Sequence, residues 1–179
     1  MIGSVVNTTT GILATLTSHI GDATQGLPED VFLFLSGITP LFNVDLLIKN
    51  EAGQTLLTWR ADRFYPEGWH IPGGIVRFKE KITDRLAAVA TNELGAGVVF
   101  EPAPLAINEV IHPSRSARGH FISFLYKCRL TSPLDEQRRF TGGSPGPAGA
   151  WAWHDGCPGN LIGVQEMYRH LIDGKKGLG

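Results

Sequence analysis

The chain has 179 residues, 42% of them hydrophobic, which is enough for one buried core and too apolar for intrinsic disorder. Sixteen Lys and Arg stand against 17 Asp and Glu with no long run of either sign, so the net charge of -1 lacks the basic excess of a phosphate-reading nucleic-acid binder. Cys128 and Cys157 make no disulfide framework and match no zinc spacing, no basic leader precedes Asp22, and no apolar run nears the ~20 residues of a membrane span. The expectation is a cytoplasmic protein with reduced thiols and no membrane contact.

Residues 1–26 read as an N-terminal extension nearly free of charge. Ile12, Leu13, Leu16 and Ile20 fall at helical spacing, and Thr8 to Thr10 can supply a cap. A segment this apolar is expected to pack on its own domain or on a second copy of the chain. Gly26-Leu27-Pro28 is a break, and residues 27–179 follow as a single domain. Pro28 suits the first turn of a short helix ending at Leu35.

Asn43 to Lys49 and Thr55 to Arg60 read as two strands around the turn Asn50-Glu51-Ala52-Gly53. Gly68 to Gly74 reads as a loop. A helix follows from about Ile82 to Leu94, capped by Thr83 or the residues before it. Its apolar stripe is Ile82, Leu86, Val89, Ala90 and Leu94, and Gly95 ends it. Phe100 to Ile111 and His120 to Leu130 read as further strands around a polar loop, with Thr141 to Gly149 as a flexible insertion. A strand at Ala150 to Trp153 and a helix from Val164 to Ile172 complete the chain. This order gives an α+β fold, a mixed-sheet α/β/α sandwich.

The stretch from Gly73-Gly74 through Glu80 to Asn92-Glu93-Leu94-Gly95 resembles the Nudix box, with Gly74, Glu80, Glu93 and Gly95 at matching positions. Where the box has Arg-Glu this chain has Ala88-Val89, and where it has Glu-Glu it has Asn92-Glu93. Positions 89, 92 and 93 share a face of a 3.6-residue helix. Three carboxylates there would gather a metal cluster; Glu93 alone can hold one hard cation. Attack at phosphorus uses several ions in this family, whereas attack at a sugar carbon needs one ion on the diphosphate leaving group.

Thr39-Pro40-Leu41, Val44-Asp45-Leu46, Gly68-Trp69 and Pro72-Gly73-Gly74 extend the resemblance to the GDP-mannose mannosyl hydrolase branch. That resemblance implies Mg²⁺ at the Gly73 carbonyl and Glu93, with Gln137 of Asp135-Glu136-Gln137 as a further ligand. It also implies Arg60 on the diphosphate, Asp45 near the sugar, and a homodimer formed through the N-terminal part. The branch has an Arg where this chain has Ile75, which makes Arg77 the nearest substitute, and its late-loop His is Arg138 here. His112 and His120, flanking a loop with Arg115 and Arg118, are the remaining candidates for catalysis, and Trp69 is a candidate to stack on the base.

Three functions compete. The first is Mg²⁺-dependent hydrolysis of a nucleotide sugar at the sugar carbon. The second is ordinary Nudix diphosphate hydrolysis with ligands such as Glu109 or Glu136. The third is a Nudix-like domain that binds a nucleotide or a protein without turnover.

Overall fold

A computed structural model describes residues 8–62, 64–143 and 146–174. The start of the N-terminal extension and two residues of the 141–149 insertion lie outside them. In chain order the elements are α1 (Thr9–Ile20), α2 (Glu29–Leu35), β1 (Leu41–Ile48), β2 (Thr55–Arg60), β3 (Gly68–His70) and β4 (Gly73–Ile75). Then come α3 (Ile82–Val89), β5 (Val98–Phe100), β6 (Ala106–Ile111), β7 (His120–Leu130), β8 (Trp151–His154) and α4 (Arg169–Ile172).

Strand β1 organises the molecule because successive side chains of a strand leave opposite faces. Val44, Leu46 and Ile48 enter one core cluster with Leu86, Val89, Ala90 and Leu94 from the α3 segment. Leu47 enters the other, with Trp59, Ile71, Tyr168 and Ile172. Helical structure therefore covers both faces of the sheet, as a three-layer sandwich requires. The larger sheet runs β4-β1-β7-β5, with β1 and β7 parallel and β6 also paired to β7. The smaller sheet is β3-β2-β8, all antiparallel.

The turn at residues 50–53 does not close a simple hairpin. Lys49 and Thr55 form an isolated bridge across it, and the chain passes there from the larger sheet into the smaller. The expected loop at 68–74 contains two short strands, each pairing with a different sheet. The expected strand at 100–111 is two, because Pro102 and Pro104 donate no backbone N–H to a ladder.

Helix α3 begins with Lys81 as N-cap, without a side-chain cap bond, so Thr83 lies inside the first turn. After Val89 the helix widens into a π turn over Ala90–Leu94, closed by Gly95 at φ 64, a left-handed conformation open to glycine. Pro28 is the N-cap of α2 rather than part of its first turn. Helix α1 is capped by Thr8, whose hydroxyl accepts from the Gly11 amide, and buries none of its residues. Among the described residues no helix is long and apolar enough to cross a membrane, and both cysteines are free.

Candidate active site

Asp45 points from β1 to the face opposite α3, where it is 3% exposed. Each carboxylate oxygen accepts two donors. Oδ1 takes Asn43 Nδ2 at 3.0 Å and Gln165 Nε2 at 3.3 Å; Oδ2 takes the Tyr168 hydroxyl at 3.0 Å and the Ser123 hydroxyl. Burial pushes its pKa up to about 6 against these four bonds, which favour the ionised form. Gln165 also brackets Ile71, accepting from its amide at 2.7 Å and donating to its carbonyl at 3.2 Å. The C-terminal helical segment is thereby tied to the loop that leads into β4.

Gly73 sits opposite Asp45 across the β1–β4 ladder. That ladder is bonded through Leu46 N to Pro72 O and Val76 N to Phe42 O, both 2.9 Å. Asp45 and Gly73 are thus a non-hydrogen-bonded pair, and the Gly73 amide and carbonyl leave from the outer edge of β4, which is a sheet edge. The Gly73 amide donates to Glu93. The Thr58 hydroxyl donates to Glu93 Oε2 at 3.2 Å, and His70 lies 3.2 Å from the same hydroxyl. Burial, with the nearby Asp45 charge adding to it, pushes the Glu93 carboxyl up to about 7. Burial, aided by the positive charge of Arg60, lowers His70 to about 3, so its ring stays neutral.

One of the two lost box carboxylates has a structural explanation. Val89 is 3% exposed and packs beneath the glycine loop, where a Cβ on Gly74 would lie 2.8 Å from Val89 Cγ2. Asn92 is exposed. Ala88 likewise leaves no gap in the charge network, because Arg85, one turn earlier, reaches Glu80. Arg85 Nε donates to Glu80 Oε2 at 2.8 Å, and that oxygen also accepts the Arg77 amide at 2.8 Å. Glu80 therefore braces the loop before α3.

A cleft of about 240 Å³ opens beside Asp45 and Gly73, lined also by Arg60, Tyr65, His70 and Arg118 among others. Of the expected residues, Asp45, Arg60, Gly73 and Glu93 are brought together. The others are not. Trp69 is 6% exposed and packs edge-on against Trp59 and Phe140 in the core, so its ring offers no face to a base. Arg77 lies on a separate surface hollow with Phe42, Phe78 and Phe124. His120 pairs with Glu109 at 3.1 Å on the β6–β7 ladder, and His112 meets Ser114 at 3.2 Å; neither lines the cleft. Gln137 is exposed on a turn whose Arg138 donates to the Asn92 carbonyl at the helix end, and Glu136 pairs with Arg139. Sequence reasoning missed His70, Gln165 and Tyr168. Only the cross-strand position of His70 beside Thr58 leaves any local signal.

The donor set at the β4 edge suits one hard cation. Glu93 supplies a carboxylate with no ion pair among the described residues, and the Gly73 carbonyl faces off the same edge. Among the described residues no group of three His, Cys, Asp or Glu side chains gathers anywhere.

No family model matches the chain. Over 78 residues it is 38% identical to the low-salt glycan biosynthesis protein Agl8 of Haloferax volcanii, an overlap of 44% of this chain and 49% of that protein. The chain thus spans about half the length of the curated relative it matches. The MutT NUDIX hydrolase of Burkholderia pseudomallei aligns with a TM-score of 0.56 at 20% identity, over 72% of this chain and 95% of that one. A possible asymmetric diadenosine tetraphosphate hydrolase of Jonesia denitrificans aligns at 0.55 and 20%, over 73% and 90%. At 20% identity the likeness to both is one of fold, and the chain has the fold of the Nudix hydrolases.

Proposed function

We propose that the protein hydrolyses a nucleoside diphosphate sugar in a reaction that depends on one divalent cation, with substitution at the sugar carbon and the diphosphate as leaving group. The observation that carries this is the single carboxylate on the working face of α3 and its π turn: Glu93 faces Gly73 while Val89 fills the neighbouring position. Glu93 and the Gly73 carbonyl would hold Mg²⁺, which when bound neutralises the diphosphate and improves it as a leaving group. Asp45, ionised above its pKa of about 6, sets a fixed negative charge beside the reacting carbon as that carbon gains oxocarbenium character. His70 stays neutral and, through Thr58, helps to orient the Glu93 carboxylate. The name of the Haloferax relative, a glycan biosynthesis protein, agrees with a sugar-bearing substrate.

A second reading, water attack at phosphorus, draws on the diadenosine tetraphosphate hydrolase among the structural neighbours. Turnover of GDP-sugars and other nucleoside diphosphate sugars with Mg²⁺ in ¹⁸O-labelled water decides between them. Label in the free sugar supports substitution at carbon. Label in phosphate supports the second reading, and ligand binding without turnover supports a binding domain.

A further inference from the structure

Arg60 is the arginine that the sequence points to for the diphosphate, but its charge is already spent. Its Nε and a terminal nitrogen both bond Asp62 Oδ2 at 2.5 Å. Arg118, from the loop between β6 and β7, lines the same cleft and has no carboxylate partner among the described residues. Its guanidinium stacks on Phe64 at 4.3 Å and on Phe32 at 5.5 Å, and its Nε is buried without a hydrogen-bond acceptor among the described residues. The charged groups that face it are Arg60, Arg115 and Asp62. Arg115 and Arg60 in turn stack on the Tyr65 ring, at 4.0 and 4.5 Å. Among the described residues, three guanidinium groups around one carboxylate make this wall of the cleft net positive.

The loop is built to hold that arrangement. Arg118 takes a left-handed φ of 53, uncommon for a residue with a side chain, and its amide donates to Ser36 Oγ at 3.0 Å. The His112 amide closes the loop on the Gly119 carbonyl at 2.7 Å. The loop also lies so close to the end of α2 that a Cβ on Gly37 would come within 2.7 Å of the Ser116 carbonyl oxygen. An arginine fork with stacked faces, N–H groups unpartnered among the described residues and a fixed backbone matches a pair of phosphate oxygens.

We propose that Arg118, assisted by Arg115, is the diphosphate anchor of this cleft, with Arg60 holding Asp62 in place and contributing little to anion affinity. The proposal rests on the reading above that the substrate carries a diphosphate, whose two phosphorus centres bear one negative charge each in a diester. The test is calorimetric titration of the full chain with inorganic pyrophosphate in EDTA, which keeps any cation at Glu93 out of the measurement. Arg118→Gln should weaken binding by at least about tenfold, Arg115→Ala by less, and Arg60→Gln by no more than about threefold. Arg118→Lys keeps the charge without the fork; partial recovery with an unchanged melting temperature separates anion binding from loop stability, and serves if Arg118→Gln does not fold. Wild-type protein that binds no pyrophosphate, or an Arg118→Gln protein that binds it as wild type does, overturns the anchor. Kinetics on the same variants separate it from the functional reading. Arg118-dependent pyrophosphate binding without nucleotide-sugar turnover sinks the function and leaves the anchor, whereas turnover with an unchanged KM in Arg118→Gln sinks the anchor alone.

Discussion

Thr58 and Glu93 are 35 residues apart in the chain, and the hydroxyl of one donates to the carboxylate of the other at 3.2 Å. The bond joins the smaller sheet to the end of α3, and it holds Glu93 against the Gly73 edge rather than in solvent. Burial disfavours the ionised form of a carboxylate in that position unless a cation lies beside it.

The pH dependence of stability follows from this. Burial raises Glu93 from its ordinary 4.5 to about 7, so the folded state holds this proton more tightly than the unfolded chain does. Its contribution is complete below pH 4.5 and is lost as pH rises through 7. In EDTA, the wild-type melting temperature should fall between pH 5 and 8, and Glu93→Gln should flatten that limb. At pH 8, Mg²⁺ should raise the melting temperature of wild type and leave Glu93→Gln unmoved, and the variant should lose metal-dependent turnover. Equal Mg²⁺ responses in the two proteins would remove Glu93 from the metal site.

His70 works in the opposite direction. Its folded pKa of about 3 lies below the ordinary 6.5, so the unfolded chain takes up the proton first as pH falls. Stability from this group is present above pH 6.5 and declines below it, with a slope of at most about 1.4 kcal/mol per pH unit. Chemical denaturation of His70→Gln between pH 4 and 7 should show a shallower acid limb than wild type.

Arg85→Ala should cost about 1.5–3 kcal/mol, the range for a hydrogen bond to a charged partner. The substitution leaves Glu80 with the Arg77 amide as its hydrogen-bond donor among the described residues. Urea unfolding measures the loss. Pairing the change with Glu80→Gln should cost less than the sum of the two single changes, because both act on one contact.

Helix α1 bears on assembly. Ile12 and Leu13 are 53% and 55% exposed, and covering one such side chain contributes about 1.5–3 kcal/mol. We expect the full chain to sediment as a homodimer and a chain starting at Leu27 to sediment as a monomer. Monomers in both cases would refute the N-terminal interface.

How much of this was legible in the sequence depends on how local the cause is. The helix at 82–94, its glycine stop and the carboxylate at 93 were readable because spacing and capping act within a few residues. The π turn that ends it, the sheet change at 50–53 and the two short strands inside 68–75 were not, since each is fixed by pairing with distant strands. Asp45 stood out as a charge in an apolar strand. Its partners Ser123, Gln165 and Tyr168 lie 78, 120 and 123 residues away, beyond the reach of any periodicity. The expected roles of Trp69 and Arg77 went astray for a related reason: proximity to the glycine loop in sequence does not say which side of a strand a residue takes.

The four donors on Asp45 have a bearing on selectivity. A carboxylate has room for about four acceptor bonds, and here they are all taken by the protein. On the proposed function, a sugar hydroxyl arriving at this wall would find no lone pair to bind, and Asp45 would act on the ring by its field and not by counting hydroxyl groups. Epimers that differ only at hydroxyls facing Asp45 should then be handled alike, and discrimination among substrates would pass to the nucleotide.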